Sequence, residues 1–172
     1  QNTSSHASIE PAPQQETYAV SSAQKRMYVL QQLDPHATAY NMPAVLVLEG
    51  DLDRKRLENA FQCLIERHES LRTRFILADG EPVQQVMKKA PLAVAYAGGT
   101  EEEAEQWAQS FVQPFDLRTA PLLRVGVMTI SAVRHLLAID MHHIIADGGT
   151  ISSFIKGFRR LYDGAGLEPL RI

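Results

Sequence analysis

The sequence predicts a two-layer α/β fold in which helices cover a largely antiparallel sheet. Segments with apolar residues at helical spacing alternate with short, apolar, β-like segments. The two longest β-like segments, residues 122–130 and 135–142, are separated only by residues 131–134. A connection that short makes a hairpin, because parallel neighbours need a crossover of about a dozen residues or more.

Each element has its own signal. Residues 1–16 are rich in Gln, Ser, Pro and Ala and carry no aromatic residue. Such a stretch cannot bury enough surface to offset its ordering entropy, so a flexible linker is expected there, within a longer protein. Order should begin at Ser21, where Ser21 and Gln24 have capping-box spacing and Ala23, Met27 and Leu30 then share one helical face until Asp34-Pro35. Residues 42–48 are apolar on both faces, which predicts a buried strand ending at Glu49-Gly50. Asp53 is positioned to cap the next helix, with Leu52 and Leu57 as a staple across the cap. Leu57, Ala60, Phe61, Leu64 and Ile65 are its core stripe.

Residues 71–77 alternate as a strand, with Arg72 and Arg74 on one face, and Asp79-Gly80 turns the chain into a partner around residues 83–87. A further strand is expected over residues 92–96. Thr100 and Glu103 suggest a second capping box, ahead of a stripe of Ala104, Trp107, Ala108 and Phe111. After the hairpin, Ile151, Phe154, Ile155, Phe158 and Leu161 trace a last amphipathic helix, closed at Asp163-Gly164.

Composition narrows the classes. With 172 residues, 45% of them hydrophobic and 22% charged, the chain is long enough for one core of its own. A net charge of −3 without a basic run argues against nucleic acid or an anionic membrane as partner, and the lone Cys63 excludes an intrachain disulfide. No apolar run approaches the length of a membrane span, so a cytoplasmic protein is expected.

The densest polar group is Met141-His142-His143-Ile144-Ile145-Ala146-Asp147-Gly148-Gly149, where an apolar strand gives way to a helix start. Strand period continues the face of Leu137, Ile139 and Met141 to His143, while His142 points the other way, so the two histidines should have different tasks. An imidazole titrates near neutrality and suits a general base; a buried structural histidine is the competing reading. No metal is expected, because adjacent strand residues face opposite ways and no third ligand is evident. Asp147 suits either a turn or an arginine partner. A second group, residues 67–75, contains Arg72, which needs a carboxylate if its strand face is covered. Asp147 is the expected partner. A third, residues 22–30, is explained by its core stripe and a solvated face.

Together these three segments resemble the condensation domains of nonribosomal peptide synthetases. That family carries S-x-A-Q-x-R-[LM]-[WY]-x-L, R-H-E-x-L-R-T-x-F and M-H-H-x-x-x-D-G. Here they stand as Ser21-Ser22-Ala23-Gln24-Lys25-Arg26-Met27-Tyr28-Val29-Leu30, as Arg67-His68-Glu69-Ser70-Leu71-Arg72-Thr73-Arg74-Phe75, and as Met141 to Gly148. Phe115-Asp116-Leu117 also resembles a family segment. Gly149-Thr150 departs from the more usual Val or Trp followed by Ser.

The resemblance implies a chloramphenicol acetyltransferase-like fold, with residues 17–172 as an N-terminal lobe, the C-terminal lobe absent, and the lobe inactive alone. It implies amide formation between carrier-bound thioesters, with an L-configured donor and acceptor. His143 and Gly148 would be catalytic; His142, Asp147 and Arg72 would be structural. No cofactor is expected on the lobe itself; 4'-phosphopantetheine would arrive on upstream and downstream carrier proteins. The adenylation domain and the lobe's own C-terminal partner complete the expected contacts. An epimerisation lobe and a non-catalytic carrier-docking module are the alternatives.

Overall fold

The computed structural model describes residues 13–167. Most of the expected linker, residues 1–12, lies outside them, and Pro13 to Glu16 are exposed. In chain order the elements are β1 (Tyr18–Ala19), α1 (Ser22–Leu33), β2 (Asn41–Glu49), α2 (Arg54–Arg67), a 3-10 turn (Glu69–Arg72), β3 (Thr73–Ala78), β4 (Glu81–Val86), β5 (Val94–Gly98), α3 (Ala104–Phe111), β6 (Leu123–Ser131), β7 (Arg134–His142) and α4 (Gly148–Tyr162).

The strands form two sheets, of order β1-β4-β3 and β2-β7-β6-β5, where one sheet was expected. All pairings are antiparallel except β5 with β6. The crossover through α3 makes that parallel pair possible, since a parallel neighbour needs a long connection. The β3–β4 hairpin turns on Asp79 at φ 52° and Gly80 at φ 80°, the left-handed pair that a two-residue hairpin loop requires.

The core lies where α2 and α4 meet the four-stranded sheet. Leu57, Ala60, Phe61, Leu64 and Ile65 of α2 are all buried, as the helical spacing predicts, and they share one cluster with Leu137, Ile139 and Met141 of β7. Phe61 stacks on Phe158 of α4 at 4.4 Å between ring centres. The opposite sheet face carries α3: a Cβ on Gly126 would come within 2.5 Å of the Phe111 ring, so only glycine lets that ring lie on the sheet.

β2, α1 and α3 also depart from expectation. β2 is an edge strand with Val45 and Val47 about half exposed, and this is where Pro43, which cannot donate to a ladder, is tolerated. Its two-sided apolar pattern does not mean two covered faces. In α1 the buried residues are Tyr28 and Gln31, while Ala23 and Leu30 face outward. Gln31 can be buried because its amide donates to the Ala37 carbonyl at 3.2 Å, satisfying it inside the loop that follows. At α3, Glu103 accepts the Thr100 N–H at 2.9 Å, but no reciprocal cap forms and the helix starts at Ala104.

Candidate active site at the His143 turn

β7 ends at His142, and the chain then reverses: the Ile145 N–H donates to the His142 carbonyl at 3.1 Å, and the His143 N–H donates to the Tyr40 carbonyl at 2.8 Å. His142 is fully buried. Its Nδ1 accepts the Ile144 N–H at 3.0 Å, which assigns the ring proton to Nε2, and the Phe115 ring lies perpendicular to it at 5.9 Å between ring centres. Burial, then the neighbouring His143, push its pKa from 6.5 down to about 4.

A stability slope follows. Between the unfolded value of 6.5 and about 4 the unfolded chain binds a proton that the folded chain refuses, so stability is complete above the upper value and falls with pH across that window. The loss is on the order of 3 kcal/mol. Denaturant titrations at pH 7 and pH 4.5 should show it, and His142→Phe should flatten it; a parallel slope in that variant would count against His142 as its source.

His143 lies beyond the strand end and is exposed. Its Nδ1 is 2.7 Å from the Ala146 carbonyl oxygen. A carbonyl only accepts, so Nδ1 carries the proton and donates, which leaves the Nε2 lone pair outward and available. The two histidines thus hold opposite tautomers. One is sealed in packing and the other faces solvent.

Asp147 does not meet Arg72. It is the N-cap of α4, and its Oδ1 accepts the Thr150 N–H at 2.7 Å and the Thr150 hydroxyl at 2.8 Å. Those bonds, with His143 as the smallest contribution, hold its carboxyl below the usual range. The unpaired N–H groups of a helix start are the nearest strong donors, so they capture this carboxylate locally. The Asp147 cap should therefore be present above the ordinary carboxylate range and fade as pH falls through its lowered folded value. Thr150→Val should reduce the acid sensitivity of melting, and an unchanged profile would argue against the threonine's role.

Arg72 belongs to the 3-10 turn and not to β3, which rotates it across the hairpin end. Its guanidinium donates to the Met87 carbonyl at 2.9 Å and to Glu69 at 3.2 Å. Gly148 opens α4 without left-handed backbone, and a Cβ there would meet nothing within 4 Å. Packing among the described residues does not require glycine at this point. No cluster of three or more His, Cys, Asp or Glu among the described residues could hold a metal ion.

The family model of the condensation domain matches residues 14–171. The chain belongs to the condensation domain family. Tyrocidine synthase 3 of Brevibacillus parabrevis is 56% identical over 164 residues, covering 95% of this chain and 2% of that protein. The first condensation domain of the calcium-dependent antibiotic synthetase, solved with a substrate analogue, superposes with a TM-score of 0.78 at 25% identity and covers 91% of this chain and 40% of its own. The X-domain in complex with OxyB from teicoplanin biosynthesis gives 0.84 at 26% identity, over 96% of this chain and 37% of that one. The chain therefore spans well under half the length of these relatives. Among the described residues no helix is long and apolar enough to cross a membrane.

Two features of this condensation-domain chain escaped the sequence reading. Asp140, fully buried in β7, pairs with Arg124 of β6 at 3.3 Å and accepts from the Asn41 amide at 2.7 Å. Arg124 also donates to the carbonyls of Gln113 and Pro114, and lies over the Phe115 ring at 3.7 Å. Burial raises the Asp140 carboxyl while Asn41 and Arg124 pull it back, and burial lowers Arg124. The signal was present: a carboxylate inside an apolar strand needs a partner. Gln24 is the second. Beyond capping α1 it donates from Nε2 to the Ile144 carbonyl at 3.1 Å, a contact that helix spacing cannot show.

Proposed function

We propose that this chain is the histidine-bearing lobe of an amide-forming condensation domain, with His143 Nε2 as the group that receives or steers the amine proton. The observation that carries this reading is the 2.7 Å bond from His143 Nδ1 to the Ala146 carbonyl. It fixes the tautomer in which an exposed nitrogen can accept a proton. The acceptor's amine nitrogen attacks the donor thioester carbonyl, a C–N bond forms and the C–S bond breaks. The amine proton passes by way of Nε2 to the leaving sulfur, giving an amide and a free thiol. The open space at Gly148, beside the histidine turn, suits the approach of an acyl chain.

Both thioesters are carried on the 4'-phosphopantetheine arms of carrier proteins, and an adenylation domain loads them. The joined residues are L-configured, and the reaction takes place in the cytoplasm with the second lobe completing the domain. His142, Asp147 and Arg72 act by holding structure. His142 fixes the turn from inside, Asp147 starts α4, and Arg72 clasps the end of the β3–β4 hairpin.

The likeness to an X-domain seen in complex with OxyB favours one second reading, a docking module without turnover. The deciding experiment is single-turnover amide formation by the complete domain with donor- and acceptor-loaded carriers. Dipeptidyl product supports condensation. Racemisation of a carrier-bound residue without amide would indicate epimerisation, and carrier binding without either reaction would indicate docking.

A further inference from the structure

Gln24 serves two elements with one side chain. Its Oε1 accepts the Ser21 N–H at 2.9 Å, which closes the capping box of α1. Its Nε2 donates at 3.1 Å to the carbonyl of Ile144, a residue 120 positions away in the chain. Ile144 lies inside the turn that joins His143 to Ala146, and its own N–H is held by the buried His142 ring at 3.0 Å. The backbone at Ile144 is thus fixed at both polar groups, from within by His142 and from α1 by Gln24. Two residues further on, the Ala146 carbonyl sets the tautomer of His143.

We propose that Gln24 is a positioning residue for His143. By holding the Ile144 carbonyl, it keeps the turn in the shape that brings the Ala146 oxygen onto Nδ1 and leaves Nε2 as the acceptor. A freed Ile144 carbonyl would let that backbone rotate, and the alignment of the ring would relax with it. This inference rests on the reading of His143 as the proton acceptor.

Three variants of the complete domain separate the two tasks of Gln24. Ser21→Ala loses the serine half of the cap and keeps the tie; Gln24→Glu keeps an acceptor for the Ser21 N–H and loses the donor; Gln24→Met loses both. Gln24→Glu and Gln24→Met should each lower kcat about tenfold with KM for the loaded carriers unchanged, whereas Ser21→Ala should stay within about twofold while melting lower.

The second readout is ¹⁵N NMR of the His143 ring, in which the two Gln24 variants should lose the Nδ1–H tautomer preference that Ser21→Ala retains. Parent-like kcat and tautomer in both Gln24 variants would overturn the proposal. So would an equal loss in Ser21→Ala and Gln24→Met, because the cap alone would then explain it. If the parent forms no amide, the functional reading falls, and the NMR comparison still decides whether Gln24 positions the ring.

Discussion

Replacing His143 by alanine in the complete domain is expected to lower the rate of amide formation by about 10²- to 10⁴-fold, the range for removing a positioned proton-transfer group. The melting temperature should barely move. His143 is exposed, and its ring makes one hydrogen bond, to a carbonyl at the surface of the turn, so truncation leaves no cavity and strands no buried donor. A variant that retains the parent rate would end the assignment of proton transfer to this histidine. A variant that loses activity together with its melting transition would show a structural role instead.

The largest expected change in stability belongs to Arg124. Truncation to methionine leaves Asp140, fully buried, without its cation, and breaking a buried pair in this way costs about 3–5 kcal/mol. Adding Asp140→Leu should recover most of that loss, because replacing both partners removes the desolvation penalty along with the attraction. Denaturant unfolding of the two variants measures both terms. The comparison with Arg72 is direct: its carboxylate partner Glu69 is 72% exposed, so this ion pair contributes only about 0–1 kcal/mol. Were Arg72→Ala to destabilise more than Arg124→Met, the ranking of the two arginines would be reversed.

Elements with local causes were legible. The Ser21 and Asp53 caps, the α2 stripe from Leu57 to Ile65, the Asp79-Gly80 hairpin and the β6–β7 hairpin all arise from residues within a few positions of one another, where spacing and turn chemistry act directly. His142 and His143 do differ in burial, but His143 lies beyond the end of β7, so the turn and not a strand period sets them apart. The choice of face on α1 was not legible. Tyr28 and Gln31 are buried there by what the rest of the chain presents to the helix, and the hydrophobicity of Leu30 carries no information about that.

The sequence by itself determined the motifs, their order along the chain, the class of fold and the location of the histidine turn at the end of an apolar strand. Tertiary structure decided the partners. Asp147 was as compatible with an arginine as with a helix start until α4 set the Thr150 amide and hydroxyl beside it. Arg124 and Asp140 meet because β6 and β7 run antiparallel in a register that sets them opposite each other. Gln24 reaches Ile144 because α1 lies against the turn. A charge or an amide bonds to whatever donor or acceptor lies within about 3 Å of it, and for residues far apart in the chain only the folded backbone sets that distance.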